Sequence, residues 1–239
     1  MSDTANPAKL ASAPLADRGE LDARLKRTDE NRWLATRYAP QDGRERLVAI
    51  YLFHQELQRA LSAKEAMLGK IRIQWWRETL EQVAGAGTVR RHDLAEELAR
   101  VTKDRPDLIV AMNAVVDRYD DIIDDHLHAG GHRPEGDHEA AHMAAEAALA
   151  TLAGLALDAK ATPEQLDALG RLGEAHLAMI AELPEASAKW NSARAGAREL
   201  PADLWPAIAH LAVGTTNKDA PTPLRNRWRI FRAIMSHRL

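Results

Sequence analysis

Residues 41–83 read QDGRERLVAIYLFHQELQRALSAKEAMLGKIRIQWWRETLEQV, and their hydrophobic pattern decides the fold class. Leu47 to Phe53 is apolar without interruption. A helix that is apolar on every side belongs in the middle of a bundle. After the polar break around Ser62–Glu65, Met67, Leu68, Ile71, Trp75, Trp76 and Val83 recur at helical spacing. At 100° per residue they cover an arc of about 180°.

Working outward, the same pattern repeats along the chain. Breaks fall at Pro40, Gly85–Gly87, Pro106, Gly130–Gly136, Pro163, Pro184, Pro201 and Pro221/Pro223. They divide the sequence into helices expected near 20–38, 41–62, 66–84, 91–103, 106–128, 138–156, 163–182, 201–212 and 222–237, several opened by Pro or an acidic residue in the first turn. A second core segment, Ala144 to Leu157, is nearly all apolar, and its small side chains permit close helix approach. No stretch alternates like a strand, and only three Tyr and two Phe are present. The expectation is an all-α bundle over residues 18–239, preceded by a mobile tail at 1–17.

Composition narrows the function. The absence of Cys excludes disulfides, thiolate chemistry and Cys-ligated zinc, and a net charge of -3 gives no global pull toward nucleic acid. The N-terminus lacks the apolar run of a secretory signal and carries Asp3, Asp17 and Glu20, so the expected location is cytoplasmic, with a peripheral membrane position open through the basic C-terminal helix. Two charges stand among apolar neighbours: Arg72 between the directions of Trp75 and Trp76, and Glu56 with Ala49, Leu52 and Ala60. A buried lone charge is costly, so the economical expectation is a Glu56–Arg72 pair across adjacent helices, structural or facing a ligand.

The run from Asp29 to Val83 resembles the start of the squalene/phytoene synthase family. The resemblance continues more weakly through LGEAHLAMIAELPEA, residues 172–186. It implies an isoprenoid-synthase-like helical bundle around a central cavity, with Tyr51, Trp75 and Trp76 as candidate lining. Catalytic members hold Mg²⁺ through two aspartate-rich motifs on facing helices, and the metal binds the diphosphate of a prenyl substrate. Laid onto Tyr51-Leu52-Phe53, the first motif here becomes Gln58, Arg59 and Ser62, and a neighbouring arginine becomes Gln55. Mg²⁺ requires hard oxygen ligands, and Arg59 at ~6 Å from it would repel it by ~5 kcal/mol at an effective dielectric of ~20. The second motif falls on Ala178–Glu185, where Glu182 and Glu185 flank Pro184 without the expected spacing.

A retained front end with both motifs lost is similar to the branch that contains the mitochondrial NADH dehydrogenase (complex I) assembly factor and its bacterial relatives. Glu56, Gly69, Arg72, Gln74, Trp75 and Trp76 match that branch best. The resemblance thus implies a non-catalytic assembly or binding protein, with respiratory-complex subunits as partners, an isoprenoid or lipid as ligand, and no cofactor. The rival is an active Mg²⁺-dependent head-to-head prenyl-diphosphate transferase with a displaced metal site.

The rival would take its metal ligands from Glu182 and Glu185 or from Asp120, Asp121 and Asp124 in DDIIDD. The aspartates follow the Trp75-Trp76 helix rather than preceding it, and they project away from the stripe of Leu108, Met112, Val115, Tyr119, Ile122 and Ile123, which reads as an acidic outer face. His126, His128, His132, His138 and His142 follow, with His138 and His142 at the i, i+4 spacing that two imidazoles need to share a metal. The final helix places Leu224, Trp228, Phe231 and Met235 on one side and Arg225, Arg229 and Arg232 around the other. It is expected to dock on the domain's own core or to lie on a membrane surface or partner.

Overall fold

The computed structural model describes residues 18–85, 88–128, 137–158, 160–214 and 223–239. Among them are ten α-helices and two 3₁₀ turns, with no strand. In chain order the helices are α1 (Arg18–Thr28), α2 (Glu30–Thr36), α3 (Gln41–Leu61), α4 (Ala66–Ala84), α5 (Asp93–Val101), α6 (Pro106–His128), α7 (Asp137–Leu157), α8 (Pro163–Ile180), α9 (Ala186–Ala197) and α10 (Pro223–Ser236). The turns are η1 (Ala202–Ala207) and η2 (Ala209–Ala212). The tail expected at 1–17 lies outside the described residues.

The all-α expectation holds, with three local corrections. Residues 20–38 form two helices, because Asp29 leaves helical geometry and its carboxylate accepts from Arg32 N, capping α2. Residues 201–212 form two 3₁₀ turns, because Pro206 inside the stretch removes a donor that a continuing α-helix needs. A further helix, α9, stands where no helix was expected. Elsewhere local chemistry and structure agree: α8 opens on Thr162 with a full capping box to Gln165 and Pro163 in the first turn.

Helix α3 is the axis of the fold. It packs against α1, α2, α4, α5, α6 and α7, and Leu47 through His54 are all buried. Helix α7 lies beside it, against α6, α8 and η1. By length and composition its stretch Glu139–Leu157 is apolar enough to cross a membrane. Here it is packed among helices instead. Glycine permits two of these close approaches. A Cβ on Gly69 would come within 2.7 Å of the Ala60 carbonyl oxygen on α3, and one on Gly173 within 2.7 Å of the Glu146 carbonyl oxygen on α7.

The face of α4 is turned from its expected direction, and that of α10 takes the outward of the two directions left open. On α4 the buried face is Gly69, Ile73, Trp76, Thr79 and Leu80, with Trp76 edge-on to Phe53 at 5.1 Å, while Met67, Leu68 and Ile71 are exposed. The reason is Gly69: the close helix approach it allows swings that side inward, although glycine adds nothing to a hydrophobic stripe. On α10 the inward residues are Ile230 and Ala233, and the stripe of Leu224, Trp228, Phe231 and Met235 faces outward.

Candidate functional site

The expected Glu56–Arg72 pair is not formed. Glu56 on α3 accepts from Arg24 of α1 and from Arg59 at 2.6 Å, one turn along its own helix. Arg72 is exposed and donates to the Arg59 carbonyl oxygen at 2.9 Å. The rotation of α4 explains the correction, since the face carrying Met67, Leu68 and Ile71 points outward and takes Arg72 with it.

The groups brought together inside the bundle are different ones. His54 directly follows the apolar run of α3, and its Nε2 lies 2.7 Å from the Tyr119 hydroxyl of α6 and 3.5 Å from Glu146 Oε1 of α7. Arg32 of α2 donates to Glu146 Oε2 at 3.0 Å and to Asp29 Oδ2 at 3.0 Å. Its guanidinium stands 5.5 Å from the centre of the Tyr51 ring, a cation–π contact. The Tyr51 hydroxyl donates to the Ala207 carbonyl oxygen at 3.2 Å, tying α3 to η1. The His210 ring of η2 meets Tyr51 edge-on at 6.0 Å. His176 of α8 lies 3.3 Å from the Val213 carbonyl oxygen.

The electrostatics follow from this enclosure. Arg32 is desolvated by burial, yet Glu146 and Asp29 outweigh that cost and hold it protonated. Burial, and then the Arg32 charge, push His54 well below the usual imidazole range. His210 is lowered by burial, by Arg32 and by the two other imidazoles. Burial pushes His176 down to about 4. Tyr51 and Tyr119 are both raised by burial and stay neutral. The interior therefore holds one fixed cation between two carboxylates, ringed by neutral donors and acceptors.

Arg32 and Glu146 are part-buried, with 15% and 21% of their side-chain surface accessible. Two buried nitrogens of this region, Arg32 Nε and His210 Nδ1, have no hydrogen-bond partner among the described residues. Leaving such groups unmade costs ~1–3 kcal/mol each, so they suit a ligand with a hydrogen-bonding, preferentially anionic, polar group.

The other sequence candidates lie apart from this centre. Gln58, Arg59 and Ser62 are exposed at the end of α3, where Ser62 Oγ donates to the Gln58 carbonyl oxygen at 3.0 Å. Trp75 is half-buried, edge-on to Trp76 at 4.8 Å and to His92 at 5.3 Å. Glu182 and Glu185 are exposed just past the end of α8, each with a left-handed backbone. Two acids of DDIIDD, with Asp117, pair with α4 on the outward face: Asp120 pairs with Lys70 and with Arg77 at 3.0 Å, Asp124 with Lys70 at 2.7 Å, and Asp117 with Arg77. Asp121 is exposed, 3.5 Å from Arg118. The side chains of His126, His128 and His138, and all of His132, lie outside the described residues. His142 is half-buried on α7.

A magnesium ion of the kind that the resemblance implies does not fit these residues. The first-motif positions supply an amide, a guanidinium and a hydroxyl, and among the described residues no three His, Asp or Glu side chains converge as a metal-holding group.

Comparison with known proteins agrees with the front of the chain. Residues 25–129, a little under half of its length, match the family model for squalene/phytoene synthase. That stretch runs from α1 through α6 and contains Arg32, Tyr51, His54 and Tyr119 of the interior site. Neither a curated protein nor a solved structure matches the chain.

Proposed function

We propose that this chain is a non-catalytic squalene/phytoene synthase-like protein that works by binding, holding the polar group of an isoprenoid or other lipid inside the bundle while serving as an assembly factor for a respiratory complex, with complex I as the first candidate. The observation that carries the reading is the end of α3. There a catalyst needs carboxylates for magnesium, and this chain has Gln58, Arg59 and Ser62, with Glu56 already neutralised by Arg24 and Arg59.

Two further features support it. The interior offers a fixed cation and unpartnered nitrogens, which bind a polar group without performing metal-assisted ionisation. Exposed Met67, Leu68 and Ile71 on α4 form an apolar strip beside Arg72, a surface suited to a protein partner.

The test has two arms. Purified protein given farnesyl or geranylgeranyl diphosphate with Mg²⁺ is expected to release no pyrophosphate, and affinity purification from the native membrane fraction is expected to recover respiratory-complex subunits. Turnover that disappears in an Asp120→Asn/Asp124→Asn double variant would establish the transferase reading instead.

A further inference from the structure

The outward stripe of α10 is not isolated. Leu224, Trp228, Phe231 and Met235 are 77%, 61%, 38% and 66% exposed. The Trp228 and Phe231 rings lie 5.6 Å apart, and exposed Tyr38 extends the patch with its ring 6.5 Å from Phe231. The opposite side of the helix is committed to the core through Ile230 and Ala233, so the stripe cannot turn inward without undocking the helix. An arginine lies on each side of it by helical position, Arg232 on one and Arg227 on the other, and Arg227 also bonds Glu30 at 2.7 Å. Residues 223–239 contain five arginines and no acid, in a chain whose formal net charge is -3.

We infer that this face lies on an anionic lipid surface, with the aromatic stripe in the headgroup–acyl boundary and the arginines on the phosphates. Trp and Tyr favour that boundary because one end of each ring is apolar and the other is wet. A helix with such a face flanked by basic residues binds in the interface plane. A second copy is the poorer occupant, because a two-fold pairing through this face sets one arginine-rich helix against another. The inference concerns the surface only and stands independently of what the interior binds.

The experiment is co-sedimentation of the full-length protein with vesicles of phosphatidylcholine alone or with phosphatidylglycerol added, at low and high salt. The expected result is binding to the anionic vesicles that weakens as salt rises. Arg227→Gln/Arg232→Gln, the two flanking arginines and both exposed, should weaken that binding by about 25-fold, at about 5-fold per arginine. Trp228→Ser/Met235→Ser should weaken it by about tenfold or more, from apolar area no longer buried. Circular dichroism melts matching wild type show that both variants fold; the arginine pair decides alone should the apolar pair not fold. Absence of binding to anionic vesicles, or wild-type binding by the arginine variant, overturns the inference. So does a sedimentation profile in which the protein is a dimer that Trp228→Ser converts to monomer.

Discussion

Acid should destabilise this protein well above the carboxylate range, because three imidazoles inside it are held neutral. His54 and His210 lie well below their ordinary value of 6.5 and His176 is down at about 4, in each case chiefly through burial. The unfolded chain, with histidines near 6.5, takes up protons that the folded chain refuses. Stability is therefore complete above about pH 6.5 and falls as pH drops toward the folded values. From pH 7 to pH 5 each imidazole costs about 2 kcal/mol, the three together about 6, which is comparable to the whole stability of many domains. Carboxylates with lowered folded values act in the same direction, but Asp107 and Asp120 start from 3.8 and contribute only at lower pH. Urea unfolding followed by circular dichroism at pH 7 and pH 5 measures the difference. Each of His54→Gln, His176→Gln and His210→Gln should reduce it by about 2 kcal/mol, because the substitution's own cost applies at both pH values and cancels. Equal stability at the two pH values, or a wild-type difference in all three variants, would refute the reasoning.

Other outcomes follow from contacts described above. Gly173→Ala drives a methyl toward the Glu146 carbonyl oxygen and should cost about 1–3 kcal/mol, lowering Tm, whereas Gly196→Ala on α9, with nothing within 4 Å, should be neutral or slightly stabilising. Arg32→Met strands Glu146 and Asp29 and should cost about 3 kcal/mol; combining it with Glu146→Leu should cost less than the sum of the single changes in a chemical-unfolding cycle, and strict additivity would mean that the two charges are uncoupled. Asp120→Asn removes part of a half-buried ladder and should lower stability by only about 0.5–1 kcal/mol in the same assay.

The bundle was legible in the sequence because α3 and α7 are apolar around most of their circumference, and such helices have few alternatives to the interior. The facing of α4 was not. Its apolar residues fall on two sides, Met67, Leu68 and Ile71 against Ile73, Trp76 and Leu80, and hydrophobicity alone cannot choose between them. The choice rests on Gly69, which contributes closeness rather than apolar area. The interior site was hidden for a related reason. His54, Glu146 and His210 each stand alone in an apolar stretch, and a single polar residue there reads as a tolerated core position. The available signal was their recurrence: one titratable group in each of several otherwise apolar segments. Tyr51 is a candidate lining residue only through the family resemblance, whereas Arg32 gives no signal because it sits in a short, polar-looking helix.

The bond from the Tyr51 hydroxyl to Ala207 has a consequence in time. Its two ends are 156 residues apart in the chain. A ribosome adding roughly 5–20 residues per second makes the second end about 8–30 s after the first. During that interval Tyr51 and the apolar run around it have emerged without η1, and His54 waits longer than most for Glu146. A growing chain in that state offers the apolar run LVAIYLF to whatever binds nascent hydrophobic segments, so the yield of folded protein should depend on chaperone supply more than the stability of the finished bundle suggests.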